Sequence, residues 1–385
     1  MLTSLKIEGY RPFRDFTARL GPLVVLAGAN GCGKSSLFEF LRFLRDSVYQ
    51  DIPPEIVAGS VGQQIFHRPG ADRFAWSLQL ERQGGEPLRY EGELVGPVGR
   101  TRITFERLIS EAAPDRQPYA YMEVVERQGR VQEPAGEEDV SQEIALRRSN
   151  QLALSVMTNP AFATLYNLRE AMRGWRFYDA LRIDHRKIRK TVPIEQQPTL
   201  HEDAGNLSSV LHYLMTEHPL VFAELQTHLR SVVPGFRRLS VKARGGPGEV
   251  IAFWSEAGVD DELTLADLSD GTLRLLCWIV VALQPEPPAL ICIDEPDQGV
   301  HPRTLPVLAG LFAKAADRTQ LLLATHASYF LMQFELGQLA VLRRESGAAH
   351  FLRPADSAVL MDQLQDFGAE ELEILHRSDE LELLA

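Results

Sequence analysis

Val24-Val25-Leu26-Ala27-Gly28-Ala29-Asn30-Gly31-Cys32-Gly33-Lys34-Ser35-Ser36-Leu37 is the stretch on which the reading of this chain turns. An apolar run ends at Gly28. A glycine-rich turn follows, and helical spacing of apolar residues then begins at Leu37, Phe38, Phe40, Leu41 and Leu44. Gly28 to Ser35 fit G-x-x-x-x-G-K-[ST], a loop pattern that cradles phosphates. Gly31 and Gly33 let the backbone curl until several N–H groups face one anion. A helix starting near Lys34 adds the positive end of its dipole. Lys34 is placed to bridge the β- and γ-phosphates, and the Ser35 hydroxyl to ligate Mg²⁺. Gly28, Asn30, Gly31, Cys32, Gly33 and Ser36 complete the expected nucleotide contacts. A chance glycine turn is the alternative, but the strand before the loop and the helix after it are the context that confirms the motif.

The chain has 385 residues, 45% hydrophobic and 24% charged, an ordinary globular balance with ample material for a core. Its formal net charge is −12. That excess argues against coating of DNA by the whole surface and leaves a local basic groove open. Cys32, Cys277 and Cys292 lie in or beside apolar runs without metal-ligand spacing, so reduced thiols are expected. Met1-Leu2-Thr3-Ser4-Leu5-Lys6 lacks the core of a signal peptide, and no apolar run approaches the ~20 residues of a membrane span. A cytoplasmic protein without membrane contact is the expectation.

Outward from the loop, residues 2–27 read as two or three strands with turns at Gly9 to Arg14 and at Gly21-Pro22. Residues 35–50 read as an amphipathic helix ended by Asp51-Ile52-Pro53-Pro54. Phe74 to Leu80 alternates, Gly84-Gly85 is a hairpin signal, and Tyr90 to Val95 and Arg102 to Leu108 continue the strand pattern. Residues 111–142 are polar and predict an exposed hairpin around a strand at Ala120 to Val125, with mobile flanks. Residues 143–175 read as helix broken at Asn159-Pro160, and Trp175 to Ile183 as extended. Arg182, His185, Arg186, Lys187, Arg189 and Lys190 form the most basic run, either a solvated face or a phosphate-contacting strip. Helices follow at Leu207 to Leu214, capped by Asn206 or Ser208, and at Pro219 to Val232. Strands follow at Phe236 to Lys242 and Val250 to Trp254. The tail from Asp362 to Leu384 reads as acidic helix.

Three further pieces carry chemistry. Leu290 to Ile293 is apolar on both faces, the pattern of a strand buried in a parallel sheet, and Asp294-Glu295 stand at its carboxyl end, where ligands gather in such sheets. Asp294 is placed to hold Mg²⁺ through water, and Glu295 to deprotonate an attacking water. Leu321 to Thr325 is a second buried strand, and His326 after it suits a γ-phosphate sensor. Leu268-Ser269-Asp270-Gly271-Thr272 precedes an apolar helix starting near Leu273. Ser269 and Gly271 there are either a simple cap or an anion site for ATP held by another subunit.

In this order the pieces resemble the ABC-type ATPases. Within them the chain resembles the branch of RecF, the structural-maintenance-of-chromosomes (SMC) heads and many prokaryotic predicted ATPases. The matching residues are Gly28 to Ser35, Leu268 to Thr272, Ile293-Asp294-Glu295-Pro296-Asp297-Gln298-Gly299-Val300-His301-Pro302 and Ala324-Thr325-His326-Ala327. Leu200-His201-Glu202-Asp203-Ala204-Gly205-Asn206-Leu207 also resembles a stretch of the predicted-ATPase group. The resemblance implies an α/β P-loop NTPase fold: a mixed or antiparallel N-terminal sheet, a parallel core sheet flanked by helices, and an inserted helical and β-hairpin region. It divides the chain into 1–95 with the P-loop, 96–235 inserted, 236–340 with the signature, acid pair and histidine, and 341–385 as an extension. ATP and Mg²⁺ are the implied cofactors. A homodimer is implied, with each ATP clamped between one P-loop and the partner's signature and with Asp297 to Pro302 at the seam. Asp270 and Thr272 stand where transporter-type members carry glycine and glutamate or glutamine. Gln63 and Gln64 are the candidates for a Mg²⁺-contacting glutamine.

Long coiled-coil arms are excluded, because the residues between Ser35 and Ser269 carry no heptads. Three outputs of an ATP cycle compete. One is a clamp on duplex DNA, in repair or recombination, through Arg182, Arg186, Lys187, Arg189 and Lys190. Another is control of a separate effector such as a nuclease, in anti-phage defence. The third is an ATP-binding switch with little hydrolysis that holds or releases a toxin-like partner.

Overall fold

The structure, a computed structural model, describes residues 1–52, 65–82, 84–111, 117–135, 139–180 and 182–356. Gln63, Gln64 and the tail from Asp362 lie outside the described residues. The chain divides into two compact units, which meet in sequence at Trp175/Arg176 and again at Leu336/Gly337.

The first unit opens with β1 (Leu2–Tyr10), β2 (Phe13–Arg19) and β3 (Leu23–Ala27), then α1 (Lys34–Ser47). β4 (Arg73–Arg82), β5 (Gly85–Val95), β6 (Arg102–Ser110), β7 (Ala120–Val125), β8 (Gln128–Glu133) and β9 (Val140–Ala145) follow, then α2 (Ala163–Arg173). An eight-stranded antiparallel sheet runs β2-β1-β4-β5-β6-β7-β8-β9. Alternation explains its two faces. Phe74, Trp76 and Leu78 on β4 and Leu88, Tyr90 and Leu94 on β5 point inward and are buried. Phe40 and Phe43 of α1 pack edge-on against Phe74 at ring distances of 6.2 and 5.5 Å. Gly92 makes room for the Trp76 ring, since a β-carbon there would sit 2.2 Å from it. The outer face pairs its charges across strands, as in Lys6–Asp15 at 3.7 Å, Arg107–Glu91 at 2.7 Å and Arg73–Glu93 at 2.9 Å.

Residues 143–175 depart from the expected helix. Val140 to Ala145 pairs with β8 as an edge strand. Leu154–Val156 is one 3₁₀ turn, held by the buried Glu106 carboxylate, which accepts from the Leu154 amide at 2.9 Å and from the Ala153 amide. Only the segment after Pro160 is α-helix. The residues that read as helix therefore divide between an exposed edge strand and a turn with Leu154 buried, which pattern alone does not separate from helix over short runs.

The second unit begins with β10 (Arg176–Asp179), α3 (His185–Ile188) and β11 (Val192–Pro193). Next come α4 (Leu207–Glu217), α5 (Pro219–Val232), β12 (Phe236–Ala243), β13 (Glu249–Glu256) and β14 (Leu263–Thr264). It ends with α6 (Asp270–Leu283), β15 (Leu290–Asp294), α7 (Leu305–Ala315), β16 (Gln320–Ala324) and α8 (Ser328–Leu331). β10, β15 and β16 are parallel neighbours. β15 and β16 are almost wholly buried, which explains why they read as continuous apolar runs. α6 and α7 pack together on Trp278 and Phe312. A second small sheet, β11-β13-β12 with β14 beside β13, carries α4. Asn206 occupies the cap position of α4 but makes no side-chain cap. Its amide instead accepts from the His201 N–H at 2.8 Å and donates to the Thr199 carbonyl at 2.9 Å.

The chain then returns to the first unit with β17 (Leu339–Glu345) and β18 (Ala348–Leu352). β17 lies parallel to β3, and β18 turns back along β17.

Candidate functional site

In the first unit the fully buried β3 delivers the chain into the loop, and α1 leaves it at Lys34. Gly28, Gly31 and Gly33 hold φ of 139°, 78° and 121°, a region that favours glycine. Gly28 is fixed twice over, because a β-carbon there would lie 2.3 Å from the Leu342 carbonyl oxygen of β17. Gly31 borders open space. Ala29, Asn30, Gly31 and Ser35 are exposed, Ser36 is half-buried, and Cys32 and Lys34 are buried. α1 has no side-chain cap and no acid in its first turn, so its N-terminal amides face outward with the dipole's positive end. The Lys34 ammonium lies folded over the loop, donating to the Gly28 carbonyl at 2.5 Å and the Ala29 carbonyl at 3.2 Å. A curled, exposed loop tip, an uncapped helix and a gathered ammonium together fit a triphosphate.

In the second unit Asp294 ends β15, in register with Ala324 on β16 and with Asp179 on β10. Glu295 follows at φ 52°, a left-handed conformation unusual for a residue with a side chain. Its N–H donates to the Ala324 carbonyl at 2.8 Å, which splays the turn outward. The turn after β16 is pinned to it, since the buried Thr325 hydroxyl donates to Asp297 Oδ1 at 2.6 Å. The result brings His326 Nε2 to 3.5 Å from Glu295 Oε1 at a partly open position. Among the described residues no three His, Cys, Asp or Glu gather as a metal cluster. A Mg²⁺ bound largely by phosphates and water needs no such cluster, and the Asp294 carboxylate of this unit is an oxygen donor of the kind Mg²⁺ takes.

The signature helix α6 starts at Asp270, earlier than the expected Leu273, because Ser269 caps it. The Ser269 hydroxyl accepts from the Thr272 amide at 3.2 Å and lies 2.9 Å from its hydroxyl. Gly271 is required by packing, because the Gly299 carbonyl oxygen lies 2.6 Å from where a β-carbon would be. Arg274 donates to the Gln298 carbonyl at 2.8 Å. The signature and the Asp297–Gly299 loop, far apart in sequence, thus form one block.

The basic run forms the short α3, capped by Asp184 on the Arg186 and Lys187 amides. Lys187 is bound to Asp203 at 2.5 Å, and His185 lies 3.3 Å from Asp270. Burial opposes ionisation of Asp203, but the hydrogen bonds from Lys187 and the Gly205 amide and the charges of Lys187 and His201 together outweigh it and hold the carboxyl below its ordinary range. Arg182, Arg186, Arg189 and Lys190 are exposed and, among the described residues, within ion-pair distance of no carboxylate. The segment 200–207 is structural. Glu202 accepts from the Phe177 amide, the Leu200 carbonyl accepts from Tyr178, and Asp203 seats α3. Asp179 ends β10 as Asp294 ends β15, each an acid at the carboxyl end of a parallel strand.

Residues 23–332 match the family described as "AAA domain, putative AbiEii toxin, Type IV TA system". The chain belongs to this family. No curated protein matches this AAA-domain chain. Among solved structures it resembles an SMC head bound to the C-winged helix domain of ScpA, at 12% identity and a TM-score of 0.58, covering 91% of this chain and 97% of that one. It also resembles the Pyrococcus furiosus Smc head with an extended coiled coil bound to the C-terminal domain of ScpA, at 9% identity and a TM-score of 0.50, covering 94% and 99%. At such identities the likeness establishes the fold, an α/β P-loop NTPase. Among the described residues no helix is long and apolar enough to cross a membrane.

Proposed function

We propose that this AAA-domain chain is a Mg²⁺-dependent ATPase that sandwiches ATP between two copies and uses the cycle to control a partner effector. The observation that carries the reading is Glu295, held at a left-handed φ within 3.5 Å of His326 at the end of a buried parallel strand. Strain of order 1–3 kcal/mol concentrates where a side chain must be aimed. Lys34 and the loop amides bind the triphosphate, and the Ser35 hydroxyl and the Asp294 carboxylate are the groups that would hold Mg²⁺. When bound, Mg²⁺ neutralises charge on the β- and γ-phosphate oxygens. Water attacks the γ-phosphorus in line with the bridging oxygen. A new P–O bond forms, the γ-phosphorus–bridging-oxygen bond breaks, ADP leaves, and the water proton passes to Glu295. His326 stabilises charge in the transition state. Ser269 and Gly271 contact the γ-phosphate of the nucleotide held by the second copy.

An effector protein is favoured over duplex DNA, because Lys187 and His185 of the basic run are engaged by Asp203 and Asp270. The description of the family as part of a toxin–antitoxin system points the same way. The alternative, a switch with little hydrolysis, is supported by Asp270, an acid placed where an anion would bind. Phosphate release by the purified chain, with and without Mg²⁺, tests the reading. Glu295→Gln should bind ATP, stop turnover and accumulate dimers, whereas Ser269→Arg should bind ATP and form none. Wild-type turnover in Glu295→Gln rejects the base, and unchanged turnover in Ser269→Arg rejects the sandwich. Salt-sensitive binding of duplex DNA by Glu295→Gln with ATP, abolished by Arg186→Glu with Lys187→Glu, would return the output to DNA.

A further inference from the structure

Asp270 is an awkward residue for an anion site. As the first residue of α6 it favours the helix, whose N-terminus welcomes a carboxylate. The same charge repels a triphosphate arriving at Ser269 and Gly271. Its carboxylate, however, faces His185 Nε2 at 3.3 Å. His185 is held for that task. Asp184 caps the first turn of α3, Ile188 is buried beneath it, and Lys187 is tied to Asp203. α3 also lies against the 3₁₀ turn Leu265–Asp267 that leads into the signature, where Asp267 is bonded to Thr264 and feels the charge of Arg189. The charged groups around the pair are therefore Asp184, Arg186, Lys187 with Asp203, and Arg189 on the α3 side, and Asp267 on the turn.

We propose that His185 is a positioning residue of the signature loop. Its Nε2 engages the Asp270 carboxylate and draws it aside, so that the N-terminal end of α6 accepts the triphosphate of ATP bound to a second copy of this chain. The inference rests on the two-copy sandwich proposed above. It assigns the basic run to nucleotide-dependent assembly, and it gives Asp270 a built-in partner in place of the glycine of transporter-type signatures.

The test reads ATP-dependent dimerisation in the Glu295→Gln background by sedimentation, and turnover in the otherwise native chain. His185→Gln should weaken both by roughly fivefold, the upper end for an exposed charge pair, while ATP binding to one copy is kept. His185→Lys, permanently cationic, should restore most of the loss. In an Asp270→Asn background, His185→Gln should have no further effect. An equal loss from His185→Gln in both backgrounds overturns the proposal, as does a silent His185→Gln. Ser269→Arg separates the two levels. If it leaves dimerisation intact, the sandwich itself fails. If it abolishes dimerisation while His185→Gln is silent, only the role of His185 fails.

Discussion

Two turns follow buried parallel strands in this chain, and they meet the same backbone problem differently. The turn after β3 places glycine at each of its left-handed positions, Gly28, Gly31 and Gly33. The turn after β15 enters the left-handed region at Glu295 and keeps a full side chain there. A glycine loop offers its backbone, because amides and the close approach of Leu342 are what it needs. An acid at φ 52° offers its side chain and accepts local strain to do so. The difference separates binding by main chain from chemistry by side chain, and each half can be attacked separately.

The largest effect falls on the side-chain turn. Glu295→Gln should lower phosphate release by about 10²–10⁴-fold, the usual worth of a general base, with nucleotide affinity preserved in equilibrium dialysis. On the main-chain turn, Gly28→Ala forces a β-carbon to within 2.3 Å of the Leu342 oxygen in a left-handed conformation. About 3 kcal/mol of lost stability is expected in urea titration, combining overpacking with strain. Gly31→Ala faces open space and should lose only about 1 kcal/mol. Equal losses at Gly28 and Gly31 would show that φ alone, and not the approach of β17, fixes the loop.

Glu106 provides a contrast in which a side chain is kept at a cost without any nucleotide role. Burial pushes its carboxyl up to about 7 from an ordinary 4.5, although the Leu154 and Ala153 amides and the Tyr90 hydroxyl pull it down. The folded state therefore holds the proton more tightly than the unfolded chain. Stability is full below about pH 4.5 and falls as pH rises to about 7, by roughly 3 kcal/mol in all. Urea midpoints across that range should show the slope in the native chain and lose it in Glu106→Gln, with turnover unchanged by the substitution. A slope that survives in Glu106→Gln would assign it to other groups.

The features legible in the sequence were those whose cause is local. The phosphate loop shows in three glycines and a lysine at fixed spacing, and β15 and β16 show in apolar runs ended by chemistry-bearing residues. Ser269 as a cap is equally local. What escaped depends on partners outside the segment itself. β9 is a strand because β8 lies beside it, and the 3₁₀ turn at Leu154 exists because Glu106 reaches its amides. The basic run looked like one surface, yet Asp203 and Asp270 had already claimed Lys187 and His185. Asp179 gains interest only from its register with Asp294.

The smallest expected effect is the sharpest test of the comparison. Glu295→Gly would give the second turn the solution used by the first. The side chain is only partly buried, and its pairing with His326 is partly open to solvent, so little stability is lost with it. Relief of the left-handed strain should outweigh that loss by about 1 kcal/mol. A rise of about 2 °C in the thermal midpoint should then accompany complete loss of turnover. A lower midpoint would mean that the Glu295 side chain holds its own turn in place. The strain would then be structural, and Glu295 would lose its claim to have been kept for chemistry.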